Sequence, residues 1–174
     1  AVVHAAHYES RVRDVCPGPV GKMPLVVREL CVPPARPVDG LLRLATVGNA
    51  NTNKRNGEVI KAIGNSESLR RSCQYRIIGK ITPDQRAAVE AQMEAYAVRN
   101  VEFTGWVSEK DLYRLLSDTD VVCCLRHPVL EGGSGSLIEA MSAGRAVLVS
   151  DQGVYAELPS DAVLKCRPGD EADD

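Results

Sequence analysis

Short apolar runs separated by helical segments constrain this chain more than any other feature. Leu41–Val47 (LLRLATV), Asp120–Leu125 (DVVCCL) and Ala146–Val149 (AVLV) leave little room for a solvated face, so each reads as a buried strand. Tyr75–Ile78, ended by Gly79, and Asn100–Phe103, closed by Gly105, read as two further strands. Between them, Gly57–Ile63 places Val59, Ile60 and Ile63 at helical spacing. A longer helix runs from Pro83 to Val98, with Thr82 as N-cap and Pro83 at the first helical position. Ser108–Leu116 opens with a capping residue and an acidic first turn, and Ser136–Ala143 ends at Gly144. Strands buried from both sides need helices on both faces. The alternation therefore predicts an α/β domain: a doubly wound, Rossmann-like parallel sheet of about five or six strands over residues 41–166.

The stretch before that domain differs. Ala1–His4 reads as a strand, Glu9–Val15 as a helix and Met23–Val27 as a second strand. Residues 1–30 are thus expected to be the last βαβ unit of a preceding domain. Residues 31–40 (CVPPARPVDG) carry three prolines and a glycine and read as a semi-rigid linker. The domain proper is expected over residues 41–174, ending in the acidic tail GDEADD. A chain of 174 residues holds one full-sized domain and not two, and the lack of an initiator Met suits a fragment.

Composition narrows the function classes. Hydrophobic residues at 44% and charged residues at 25% are those of a globular domain. A formal net charge of -2 gives no basic face, so nucleic acid is not an expected partner. No apolar run reaches the roughly 20 residues of a membrane helix, and no secretory signal is visible. The six cysteines include no C-x-x-C pair and no histidine at finger-like spacing, so no metal is expected. They read as reduced thiols of a cytoplasmic protein.

Chemistry concentrates in Glu131–Asp151, EGGSGSLIEAMSAGRAVLVSD. Gly132, Gly133, Ser134 and Gly135 join a strand and its loop to a helix. Small residues there let a ligand approach the backbone, and the N–H groups of the helix start, with the dipole behind them, suit a phosphate. Glu139, one turn into the helix, is placed as acidic residues that bind ribose hydroxyls are. Glu131 precedes the glycines, where a sugar on that phosphate would lie. The residues alone are equally compatible with a flexible loop followed by a helix carrying a solvated glutamate.

This segment resembles the E-x7-E passage of family 4 glycosyltransferases, which have the GT-B fold: seven residues separate Glu131 from Glu139. The following AMSAGRAVLVSDQGVYAELP is similar to the family's next strand and turn. TVGNANTNKRNGEVIKAI, YRIIGKIT and NVEFTGWVSEKDLYRLLSDTDVVCCLRHP resemble, in order, its first strand-loop-helix, second strand and third strand onward. The resemblance covers about residues 40–166 and implies one half of a GT-B fold: the C-terminal domain that binds a nucleotide-sugar donor in a retaining glycosyltransferase. The donor would be a substrate, with no cofactor. A separate N-terminal domain would bind the sugar, lipid or other acceptor, and any contact with a membrane surface would fall to that domain. The chain alone would then be incomplete and inactive.

The resemblance also implies roles. Glu131 would act on the transferred sugar and Glu139 on the ribose. Gly133, Ser134 and Gly135 would present backbone to the diphosphate, with Lys54 neutralising it and Gly48 shaping the loop. Asn49 stands where the family often has an arginine, so one cation is missing; Arg55 is either its substitute or solvated surface. The backbone at Val107 would meet the base. Trp106 either stacks on the base or is core, and His127 either touches the donor or packs its loop. Asp151 and Glu157 serve the site or a turn, while His4 and His7 are structural or surface. Two other readings remain: a nucleotide-sugar epimerase of the same fold, and a non-catalytic nucleotide-binding module.

Overall fold

The computed structural model describes residues 1–26 and 38–173. Strand β1 (Val2–Val3) leads through a 3₁₀ turn and helix α1 (Glu9–Val15) to β2 (Gly21–Lys22), which pairs parallel with β1. The strand-helix-strand order read for the first residues is therefore present. The second strand is shifted: Met23–Val26 lie outside any strand, because pairing ends at Val3↔Lys22. Val27 and residues 31–37 of the expected linker lie outside the described residues.

From β3 (Leu42–Val47) the chain alternates. It runs through α2 (Asn56–Asn65), α3 (Glu67–Ser72), β4 (Cys73–Ile78), α4 (Pro83–Ala95), β5 (Val101–Gly105), α5 (Glu109–Ser117), β6 (Val121–Cys124), α6 (Gly135–Ser142), β7 (Ala146–Ser150) and β8 (Leu164–Cys166). The six strands form one parallel sheet in the order β5-β4-β3-β6-β7-β8, a doubly wound arrangement. Two elements were not anticipated. Helix α3 is short and buries no residue, so it carries no apolar stripe to read. Strand β8 is a three-residue edge strand containing a lysine.

Side chains alternate between two cores, one on each face. Ala45, Val47, Val122, Cys124, Val147 and Val149 pack against Leu116 of α5 and Leu137 and Ala140 of α6. On the other face Tyr75, Ile77 and Cys123 pack against Val59, Ile60 and Ile63 of α2 and Val89 of α4. The polar groups inside are paired: Tyr75 Oη donates to Asn56 Oδ1 at 2.8 Å and lies 2.8 Å from Thr46 Oγ1. Helix starts are capped as expected. Thr82 and Gln85 form a capping box, and Ser108 and Ser134 accept the N–H of Asp111 and Leu137.

Among the described residues all five cysteines, Cys16, Cys73, Cys123, Cys124 and Cys166, are free thiols. Burial pushes Cys73 and Cys124 up to about 11, whereas the Gly18 N–H lowers Cys16. Because the thiolate is the nucleophile, peptide-mapped alkylation at neutral pH should label Cys16 first among these five. The four buried thiols should react only with unfolding. Early labelling of Cys123 or Cys124 would contradict this packing.

Candidate functional site

The strand order reverses between β3 and β6, and a doubly wound sheet opens a crevice beyond the carboxyl ends of such strands. The chain leaves β3 at Gly48, whose φ of 98° is open to glycine and whose carbonyl packs on Gly79. A side chain at Gly79 would collide with the Gly48 oxygen, and one at Gly48 would meet Lys54 Nζ at 3.0 Å. The two glycines thus let the loop fold tightly enough to seat Lys54. This lysine ends a 3₁₀ turn, Thr52–Lys54, and is 7% exposed. Its Nζ donates to the Val47 carbonyl. Burial, then the neighbouring Arg126 guanidinium, push its ammonium down to about 8.

Beyond β6 the backbone carries Arg126, which is 5% exposed. Its Nε reaches Glu131 Oε1 at 2.8 Å, and its Nη1 donates to the Leu125 carbonyl. Tyr155, fully buried after β7, donates its hydroxyl to the same Glu131 oxygen at 2.6 Å. Among the described residues Glu131 Oε2 accepts no hydrogen bond. Ser134 then caps α6, and its hydroxyl lies 3.2 Å from that of Ser136. Arg126, Glu131 and Tyr155 thus form one connected polar group at the strand ends, with Lys54 near enough to feel the charges of Arg126 and Glu131, and Ser134 beside Tyr155.

Glu139 lies apart from that group. It is half-buried in a cleft of about 490 Å³ between α5 and α6, lined by Leu112, Tyr113, Gly135, Ile138, Leu25 and Val26 among others. The start of α6 joins the two regions. Gly133 packs under Leu25: a Cβ there would come within 2.6 Å of Leu25 Cδ1 and 3.5 Å of the His4 Cβ. Leu25 and His4, from the N-terminal βαβ segment, therefore roof the helix start. Glu157 holds that segment there, accepting the N–H of His7 at 2.6 Å and of Ala6 at 3.0 Å.

The other sequence candidates separate cleanly. Asn49 is exposed, and its carbonyl accepts the N–H of Asn51. Val107 is half-buried against the α5–α6 core. Trp106 is 71% exposed, so it is not core. Arg55 is not solvated surface; it pairs with Glu171 and Glu58. His127 is exposed, its N–H tied to the Asn53 carbonyl. Asp151 pairs with Lys165, and His4 Nδ1 lies 2.8 Å from the Met23 carbonyl. The acidic tail is not uniformly solvated, since the Glu171 side chain is wholly buried. Arg126 and Tyr155 escaped the sequence reading. The signal for Arg126 was its place: a charged residue directly after a wholly apolar strand stands at the ligand edge of a parallel sheet.

Among the described residues no three His, Cys, Asp or Glu side chains converge as metal ligands, and no helix is long and apolar enough to cross a membrane.

The family model described as "Glycosyl transferases group 1" matches residues 36–173. No curated protein matches in sequence. Among solved structures, sucrose-phosphate synthase from Thermosynechococcus elongatus superposes with a TM-score of 0.80 at 20% identity, over 98% of this chain and 45% of that one. WaaG, a glycosyltransferase involved in lipopolysaccharide biosynthesis, gives 0.62 at 26% identity, over 75% and 34%. HepE from Anabaena, in complex with UDP and glucose, gives 0.67 at 16% identity, over 76% and 36%. The chain spans less than half the length of each of these three. The sheet matches the Rossmann-like domains of such GT-B enzymes.

Proposed function

Since this chain belongs to the group 1 glycosyl transferases, we propose that it is the C-terminal, donor-binding part of a retaining family 4 enzyme. It takes a nucleotide-sugar as substrate and needs no cofactor. The observation that carries this reading is the convergence of Lys54, Arg126, Glu131 and the capped start of α6 at the strand reversal, beside the cleft that holds Glu139. A diphosphate brings two features to match: negative charge for the buried cations, and oxygens for the N–H groups at Gly133–Gly135. The ribose then falls to Glu139 and the base to the Val107 backbone. The sugar falls to Glu131, whose Oε2 faces no competing donor among the described residues. Arg126 supplies the cation that Asn49 does not.

The acceptor is bound by a separate domain, of which residues 1–30 are the remnant. On this reading the isolated chain binds a nucleoside diphosphate weakly and transfers no sugar, because closure between two domains excludes water and completes the site. Calorimetry with uridine, guanosine and adenosine diphosphates and their sugars tests it. Binding of one base series supports the reading, and no binding of any overturns it.

Proton linkage gives a further check. With its ammonium near 8, Lys54 is about half protonated at pH 8. An incoming diphosphate favours the charged form, so binding at pH 8 should take up roughly half a proton. Affinity should fall as pH rises above 8. Calorimetric enthalpies that do not depend on buffer ionisation heat at pH 8 would remove Lys54 from the phosphate site.

A further inference from the structure

We infer that Glu171, from the acidic stretch after β8, is a positioning residue for both cations of the site: through Arg55 it fixes the turn that presents Lys54, and through Ser150 it fixes the backbone that presents Arg126. The inference rests on the donor-site reading above and extends it to a residue outside the crevice.

The Glu171 side chain is wholly buried, although it follows a short edge strand and stands near the start of a run of acidic residues. A buried carboxylate persists only where its oxygens are satisfied. Here Oε2 receives Arg55 Nη2 at 3.0 Å and Nε at 3.3 Å, a two-point contact with a planar guanidinium. Oε1 receives the Ser150 hydroxyl at 3.2 Å. Against the cost of burial, the nearby backbone of Glu171 and Gly169, with the Arg55 guanidinium, holds its carboxyl below the usual range.

Each partner leads to the site. Arg55 has φ 55° and ψ 31°, left-handed backbone that a residue with a side chain avoids unless its surroundings hold it there. This one residue turns the chain from the 3₁₀ turn ending at Lys54 into α2, so it sets how Lys54 folds back over Val47. The Glu171 contact, joined by Glu58 at 3.4 Å, holds that turn. On the other route, Ser150 Oγ accepts the Arg126 N–H at 3.1 Å while donating to Glu171. A hydroxyl has one proton. By accepting it, Glu171 turns the Ser150 lone pairs toward Arg126. The Gln152 amide holds the Arg126 carbonyl from the other side.

The test compares the wild-type chain with Glu171→Gln, Ser150→Ala and Val98→Ala, the last a buried substitution remote from the site that reports stability loss alone. Three readouts are taken: calorimetry with inorganic pyrophosphate, the titration midpoint of the Lys54 side chain by labelled-lysine NMR, and amide exchange over residues 53–56 and at Arg126. Glu171→Gln should weaken pyrophosphate about tenfold, the order of loss that a displaced binding group brings. It should also raise the Lys54 midpoint toward the free-lysine value and speed exchange in both segments. Val98→Ala should move none of these. If Glu171→Gln does not fold, Ser150→Ala decides: it should speed exchange at Arg126 and leave the Lys54 midpoint alone.

Behaviour of Glu171→Gln indistinguishable from Val98→Ala overturns the inference. So does faster exchange with pyrophosphate affinity unchanged. Failure of the wild type to bind pyrophosphate removes the donor-site reading instead, and the NMR and exchange results then decide the positioning role by themselves.

Discussion

Glu131→Ala should lower the unfolding free energy by about 3 kcal/mol, the low end of what removing one partner of a buried ion pair costs. The cause is what stays behind. Arg126 is 5% exposed, and its guanidinium would keep the Leu125 carbonyl as its contact while losing the carboxylate at 2.8 Å. Tyr155, fully buried, would lose the acceptor of its hydroxyl. For a chain of this size the fall in Tm should be roughly 6–12 °C. Adding Arg126→Met to Glu131→Ala should restore most of the loss, because an apolar replacement leaves no buried charge to satisfy. A double variant as unstable as Glu131→Ala alone would show that the Arg126 contact is not what Glu131 supports. Activity lost in a full-length Glu131 variant therefore needs a stability control before it is assigned to the sugar.

The same pair shows where sequence reading stops. Strands such as DVVCCL and AVLV carry their burial in composition, and the parallel sheet followed from that alone. Helix starts were legible at Thr82 and Ser108 because capping depends on residues three apart. Strand β8 and helix α3 were not legible, since LKC is too short to establish an alternation and ESLRRS has no apolar stripe. In the site, the glycines and the two glutamates stood out because their spacing is local. The partners of Glu131 did not. Arg126 is five residues upstream and Tyr155 lies beyond the next strand. Only the fold brings them to one carboxylate oxygen. Glu171 is the extreme case: composition marks GDEADD as solvated, yet two contacts across the sheet ends bury one of its carboxylates.

Glu139→Ala should weaken a bare nucleoside diphosphate by about 1.5–3 kcal/mol, the range for a hydrogen bond to a charged group, or roughly ten- to a hundredfold in Kd. The argument begins with packing. Leu137 and Ala140 are buried in the core beneath α6, and Ser134 caps the helix start. That fixes the helix and leaves Glu139 facing the cleft between α5 and α6. A helix so held presents Glu139 to a ribose with its backbone already ordered, which lowers the cost of binding. Glu131, whose Oε1 is engaged by Arg126 and Tyr155, sits at the other region and should meet the sugar. Calorimetry on Glu139→Ala and Glu131→Gln, each with the diphosphate and with its nucleotide-sugar, separates the two. The glutamine retains an oxygen and an amide in place of the carboxylate. It should lose affinity chiefly for the nucleotide-sugar, whereas Glu139→Ala should lose it for both ligands alike. Equal losses of the bare diphosphate in the two variants would put both glutamates on the nucleotide and end the assignment of Glu131 to the sugar.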